Sequence, residues 1–408
     1  MGIDRDVLIV GGGLNGPALA LALASAGISS AVIDAAPAET RAEPDFDGRA
    51  YALSLSSRRM LDALGLWAGL APRSQPIERI AISDGRAGEG AAPFALHFDR
   101  NEIDEAAMGA LIEDRWLRAA LTQALAASPL IEVRNDARVV AQRIEPGAAE
   151  LTLADGTRLR GRLIVGCDGR GSGTALRAGI GRVGWDYGQT SLVCAIAHER
   201  PHGGVAHQFF MPQGPLAILP LPGNRCSIVW TEARDRAEAI QALPAEAYLA
   251  VLRPRFGDFL GEISLAGRRH AYPLALSLAE RFVADRLALV GDAAHGIHPV
   301  AGQGLNLGLR DVAALAEVLA DARRRGEDLG GPGALAEYQR WRRFDTAALA
   351  VATDGVNRLF SNDNPLVRLG RDLGLGLMDR LPALRRRMIR EAAGLTGDLP
   401  RLLRGLPV

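Results

Sequence analysis

The chain contains no lysine. All forty-seven of its basic residues are arginine, set against forty-seven acids in 408 residues. A Walker A phosphate loop, a Schiff-base enzyme and a pyridoxal-phosphate site each need an ammonium nitrogen that a guanidinium cannot supply, so those mechanisms are excluded. The balanced charge provides no global field to draw the chain toward nucleic acid or an acidic partner. Cysteine is scarce too. Cys167, Cys194 and Cys226 stand far apart, odd in number and without the paired spacing of a zinc or redox site, which reads as a cytosolic chain with no disulfide framework. There is no His-Glu-x-x-His run, and the one close histidine pair, His295 and His298, has no third ligand at a familiar offset, so no metal is expected. At 48% hydrophobic and 23% charged residues, disorder and fibre are also excluded.

One charge-free stretch, from Val7 to Ile33, is long enough to span a bilayer. Three consecutive glycines, Asn15 and Pro17 argue against a span. Asp4 and Asp6 stand where a signal peptide needs positive charge, so a leader is not expected either.

The same stretch carries the first motif. Asp6 to Val10 is a short aliphatic run, Gly11-x-Gly13-x-x-Gly16 follows at once, and Pro17 to Ala26 is rich in Ala and Leu; the pattern predicts strand, tight turn and helix. Gly27 stops the helix, and Ile28 to Ile33 predicts a second strand ending at Asp34. Gly11 permits the turn, Gly13 lets backbone approach a pyrophosphate, Gly16 lets helix and strand pack closely, and Asp34 presents a carboxylate to a ribose. This fingerprint predicts a dinucleotide and leaves open whether it is NAD or FAD.

Two further stations share its form. Arg162 to Val165 runs as a strand into Gly166-Cys167-Asp168-Gly169-Arg170-Gly171-Ser172. Leu287 to Val290 runs into Gly291-Asp292-Ala293-Ala294-His295, then His298-Pro299-x-x-Gly302-Gln303-Gly304-x-Asn306, just ahead of a helical stretch from Leu309 to Ala322. In open α/β sheets the ligand lies beyond the carboxyl ends of the strands, so Asp34, Asp168 and Asp292 are expected to converge on one crevice. Gly302, Gly304 and Asn306, placed before a helix, offer a second site of bare backbone N–H groups.

The three stations in this order resemble the flavoprotein aromatic hydroxylases of the p-hydroxybenzoate hydroxylase type. Within them the chain is similar to the ubiquinone-biosynthesis hydroxylases, through Asp47-Gly48-Arg49-Ala50-x-Ala52-Leu53-Ser54, Gly109-x-x-Ile112-Glu113-Asp114-Arg115-x-Leu117, and Asp354-Gly355-x-Asn357-Arg358-Leu359-Phe360-Ser361. The likeness covers nearly the whole chain and is weakest between Gly181 and Leu278. It implies FAD as cofactor and NAD(P)H as electron donor. Gly11, Gly13 and Gly16 would cradle the pyrophosphate and Asp34 the adenosine ribose, with Asn15 also among the cofactor-binding residues. Arg49 and Arg115 would reach the cofactor from neighbouring segments, Asp168 would serve FAD phosphate and nicotinamide donor, and Asp292 the ribityl chain. Pro299, Gly302, Gln303, Gly304, Leu305 and Asn306 would border the isoalloxazine ring. Asp34 is one methylene shorter than the Glu common at its position. The catalytic groups of the protein itself stay unassigned.

The implied fold is α/β: a Rossmann-like FAD-binding domain in three pieces, residues 1–75, 99–180 and 279–340, interleaved with a substrate domain, 76–98 and 181–278, and followed by a helical C-terminal region, 341–408. Short strands at Ser191 to Ala197, Ala206 to Met211, Leu216 to Leu221 and Cys226 to Thr231, punctuated by Pro and Gly, predict a mostly antiparallel sheet in the substrate part. The last fifty-four residues carry ten arginines and five acids. There Leu373, Leu375, Leu377, Met378, Leu381 and Leu384 interleave with Arg380 and Arg385-Arg386-Arg387. This reads as a helix pair with a solvated charged face, or as a basic amphipathic surface resting on anionic lipid at the inner face of the membrane.

The activity implied is hydroxylation of a polyprenylated phenol with O2 through a flavin hydroperoxide, alongside other ubiquinone-biosynthesis proteins and without nucleic acid. Two competitors stand beside it. A soluble aromatic-acid hydroxylase needs a cationic clamp, for which Arg225, Arg253 and Arg255 are available; a non-catalytic FAD-binding scaffold needs none.

Overall fold

Val7, Leu8 and Ile9 are fully buried in the strand Arg5–Val10, the centre of a mixed eight-stranded sheet. The computed structural model describes residues 2–41, 45–88, 90–103, 105–297, 302–360, 374 and 376–408. In that sheet five strands run parallel in the order Leu287–Leu289, Arg158–Gly166, Arg5–Val10, Ser30–Ile33, Ile131–Arg134. Register aligns Val10 with Gly166 and with Ile33, and Gly166 with Leu289. The strands that precede all three sequence stations are therefore neighbours and end on one edge of the sheet.

The helix Asn15–Ser25 begins inside the glycine motif, two residues before Pro17. Its Ala18, Leu19, Ala20, Ala22 and Leu23 are wholly buried, because it packs on the helices Asp114–Ala127 and Gln303–Arg324 as well as on the sheet. Enclosure on several sides is why the segment is apolar all round and imitates a membrane span. Each buried leucine contributes about 1.5–3 kcal/mol. Among the described residues no helix is long and apolar enough to cross a membrane.

A second sheet of nine strands stands beside the first. It runs His295–Gly296, His270–Ala279, Arg182–His198, Arg225–Ala233, Gly214–Leu221, Val205–Met211, Arg79–Arg86, Gly90–Asp99, with Ile263–Leu265 paired to the side of Arg182–His198. All its pairings are antiparallel except Val205–Met211 with Arg79–Arg86, so it is mixed. The expected strand Ser191 to Ala197 is the inner part of one that begins at Arg182, its extra length paired to His270–Ala279 across a bulge between Asp186 and Gln189. One face of this sheet, with Leu192, Cys194, Ile196, Ile228 and Trp230, is sealed by Tyr248, Leu252 and Phe256 of the helix Ala245–Phe256. The other face looks back toward the first sheet. A short sheet of Ala50–Ser54, Gly109–Glu113 and Ser74–Pro76 lies between, and the long helix Pro332–Phe360 and the helix Pro382–Ala392 complete the C-terminal part.

Candidate active site

The turn after Arg5–Val10 is built so that only glycine fits. Gly11 has φ +110°, and a Cβ there would stand 2.3 Å from the Cys167 carbonyl oxygen; a Cβ on Gly16 would stand 2.0 Å from the Gly11 oxygen. Gly13 differs: nothing lies within 4 Å of its missing Cβ, and it faces open space. The helix that follows has neither a side-chain N-cap nor a first-turn acid, so its free N–H groups and positive dipole end face that space.

A cleft of about 430 Å³ opens there, lined by Gly11, Gly12, Gly13, Asp34, Asp168 and Arg177 among others. Two of the three expected aspartates thus share one cavity. The Asp34 carboxylate accepts the Gly12 N–H, and the Ala36 N–H at 2.7 Å, so it holds the turn as well as lining the cleft. Asp168 accepts from the Ser172 hydroxyl at 2.5 Å and from the Thr174 N–H and hydroxyl at 2.9 Å, which fixes the start of the helix Gly173–Arg177. Its neighbour Cys167 is held protonated by burial and by Asp168 and Asp311, so it offers no nucleophile.

Asp292 joins through arginines. Arg170 Nε donates to its carboxylate at 3.1 Å, and Arg182 donates to the main-chain oxygens of Asp292 at 3.2 Å and Ala293 at 2.5 Å. Burial lowers the Arg182 guanidinium, opposed by Asp292 and then Asp168, so both carboxylates bear on one cation. From behind, Asp311 accepts the Gly291 N–H at 2.9 Å, His295 Nε2–H at 2.5 Å and Arg342 Nε–H at 2.8 Å, with all three side chains buried. In front, the Asn15 amide fills the gap that Gly291 and Gly308 leave, where a Cβ on either would come within 2.5 Å of its Nδ2. The Asn15 Oδ1 is buried without a hydrogen-bond partner among the described residues. Asp311, Arg170 and Arg182 were not anticipated. Asp311 was readable as an acid on the apolar face of its helix, four residues before Leu315, whereas the arginines gave no signal in an all-arginine chain.

The glycine loop of the third station is displaced from expectation. The helix starts at Gln303 and not near Leu309, so Gly304, Leu305 and Asn306 form its first turns, with Gly302 at φ +65° before them and no side-chain cap. Asn306 makes this start affordable: its amide accepts the Ser54 N–H at 2.9 Å and donates to Ala52 O at 2.8 Å and Gly302 O at 3.2 Å, tying helix to the strand Ala50–Ser54. Pro299, with His298, lies outside the described residues.

Arg49 reaches Asp47 at 2.5 Å and Asp114 at 3.4 Å. Burial would lower its guanidinium, but Asp114 and Asp47 outweigh it and hold the group above its ordinary range. Arg115 bonds Glu113 at 2.7 Å, stacks over Trp116 at 4.5 Å and lines a mostly apolar groove of about 740 Å³ together with Gly12, Gly13 and Pro17. Arg115 therefore meets the glycine turn, and Arg49 stands beside it through Asp114. The open Gly13 and the uncapped start of the following helix fit the pyrophosphate of an extended ligand, and the unpartnered Asn15 oxygen fits a hydroxyl or N–H donor on the same ligand.

Residues 4–352 match the family model described as FAD binding domain. The chain is 48% identical over 406 residues to ubiquinone hydroxylase UbiL of Rhodospirillum rubrum, covering 99% of this chain and 93% of the relative. It is 36% identical to the 3-demethoxyubiquinol 3-hydroxylase of Escherichia coli, covering 96% of this chain and 98% of that one. The solved structure of p-nitrophenol 4-monooxygenase PnpA from Pseudomonas putida superposes with a TM-score of 0.80 over 97% of this chain and 99% of the other, at 20% identity, a likeness of fold.

Proposed function

The chain belongs to the FAD-binding-domain family, among its ubiquinone-biosynthesis hydroxylases, and from that premise we propose that it hydroxylates the aromatic ring of a polyprenylated phenol, consuming O2 and NAD(P)H. It is a flavin-dependent ring monooxygenase. The observation that supports the reading is the shared edge on which Val10, Ile33, Gly166 and Leu289 align, with the glycine turn, Asp34 and Asp168 lining one cleft and Asp292 held nearby by Arg170 and Arg182. When bound there, FAD supplies hydride uptake and oxygen activation, which no side chain can provide.

The protein's own part is to bind, orient and exclude water. Gly11, Gly13 and Gly16 with the following helix end hold the pyrophosphate, the Asn15 oxygen accepts from a donor on the cofactor, Asp34 binds the ribose, and Asp292 the ribityl hydroxyls. Arg49 and Arg115 flank the site, Arg49 paired with Asp47 and Asp114 and Arg115 with Glu113. Asp168 acts through the turn it caps. Gly302 to Asn306 border the ring. The division at residues 1–75, 99–180 and 279–340 for the cofactor, 76–98 and 181–278 for the substrate, and 341–408 for the helical end is part of the same proposal.

The three arginines that would clamp an aromatic acid are engaged elsewhere. Arg225 donates to Glu113 at 2.7 Å, Arg253 to Glu262 at 3.1 Å and Arg255 to Glu232 at 3.1 Å. That favours a neutral, greasy phenol. Leu377, Leu381 and Leu384 are exposed beside Arg380, Arg386 and Arg387, and support peripheral contact with anionic lipid; Leu373 and Leu375 lie outside the described residues. In cells lacking this protein, mass spectrometry of quinone precursors tests the reading. A polyprenylphenol short of one ring hydroxyl is the expected accumulation, and an unchanged precursor pool would refute it.

A further inference from the structure

The strand His270–Ala279 forms part of the wall that the second sheet turns toward the first, and its contacts show what lies opposite. His270 Nε2 bonds the Asp47 carbonyl at 3.0 Å, at the Arg49 loop. Leu276, on the same face because side chains alternate along a strand, packs in one cluster with Ile297 and Leu307, next to the Gly302 to Asn306 turn. Between these two anchors, on the same face, stands Tyr272, 42% exposed. Arg170, the partner of Asp292, donates to the carbonyl of the adjacent Pro273 at 3.3 Å. Tyr272 is therefore surrounded by segments of the proposed flavin crevice and is covered by none of them.

Directly opposite Tyr272 in register is Ser191, whose side chain shares that face. Ser191 is 2% exposed, and its hydroxyl has no hydrogen-bond partner among the described residues. A buried hydroxyl without a partner is costly, so its presence calls for an acceptor or donor that arrives from outside. Val193, next along on this face, is apolar and only half-buried. The wall thus offers two hydroxyls beside an apolar surface.

We propose that Tyr272 and Ser191 form the contact for the ring oxygen of the phenol, holding the ring against the flavin by hydrogen bonds from their two hydroxyls. This rests on the hydroxylase reading above and deepens it by naming substrate-contacting residues. Burial raises the Tyr272 hydroxyl above its ordinary range; Arg49 opposes this, and Asp47 and Asp114 reinforce it. It stays protonated at neutral pH and acts as a donor. Stacking of Tyr272 on His270, with ring centroids 6.2 Å apart, sets its direction.

The test uses the FAD-loaded full-length protein and a short-chain prenylphenol, with binding read from the flavin difference spectrum and turnover from product formed per NAD(P)H oxidised. Tyr272→Phe and Ser191→Ala each remove one hydroxyl. Each should weaken phenol binding about tenfold and lower the coupling of NAD(P)H oxidation to product, while FAD affinity stays within about twofold. Unchanged phenol binding and coupling in both variants would overturn the assignment. So would a loss of FAD affinity in Tyr272→Phe, since the hydroxyl would then serve the cofactor. A wild-type protein that binds FAD but never hydroxylates the phenol would overturn the functional reading itself, a result distinguishable from either.

Discussion

Arg170 and Asp292, 122 residues apart in sequence, meet at 3.1 Å and join the second and third stations of the crevice. Both side chains are nearly half exposed, so solvent screening limits the pair to about 0–1 kcal/mol of stability. Its value is positional. In Arg170→Ala the Asp292 carboxylate loses its guide, and FAD affinity should fall about tenfold while Tm drops by less than about 2 °C. Titration of apoprotein with FAD, followed by flavin fluorescence, checks this. An unchanged affinity would remove Asp292 from the cofactor site.

Gly13 and Gly16 separate folding from binding. Gly13→Ala introduces a methyl into open space, so the apoprotein should melt near the wild-type temperature yet bind FAD at least about tenfold more weakly, because the methyl occupies the pyrophosphate's approach. Gly16→Ala drives its methyl into the Gly11 carbonyl and should lower Tm and FAD content together. Thermal melts of both apoproteins beside FAD titrations give the comparison.

The buried Asp311 carries a pH signature. Burial alone would raise its carboxyl, but His295 and Arg342 more than reverse that, and the folded value lies below the unfolded one. A depressed carboxylate contributes stability that is present above the unfolded pKa, about 3.9, and is lost as pH falls toward the folded value. Asp311→Asn should therefore cost up to about 3–5 kcal/mol near neutrality, because buried Arg342 loses the carboxylate at its Nε and keeps only Asp345, and should flatten the acid limb of stability below about pH 4. Urea denaturation across pH measures both effects.

Lipid contact has its own test. The full-length protein should co-sediment in part with anionic liposomes and less so as salt rises, since exposed arginines beside Leu377, Leu381 and Leu384 supply the attraction. Indifference to both lipid charge and ionic strength would count against it.

Much of this architecture was legible because each station is local: a strand, a glycine turn and an acid, in a few consecutive residues. Parallel pairing in an α/β sheet then brings their ends together by a general rule. What escaped depends on long-range partners. The early start of the helix at Gln303 follows from Asn306 bonding Ala52 and Ser54, some 250 residues upstream, which no local propensity reveals. The same holds for the commitment of Asp168 to a helix cap and for the clamp arginines being spent on Glu113, Glu262 and Glu232. Ser191 and Tyr272 lie in the stretch where sequence likeness was weakest, and only cross-strand register pairs them.

The most direct measurement supplies the purified FAD-loaded protein with NAD(P)H, a demethoxy polyprenylphenol and isotopically heavy O2, then weighs the product. The product should be heavier by one labelled oxygen atom and form in proportion to O2 consumed. Oxidation of NAD(P)H with peroxide as the sole oxygen product, or a protein unable to take up FAD, would contradict it.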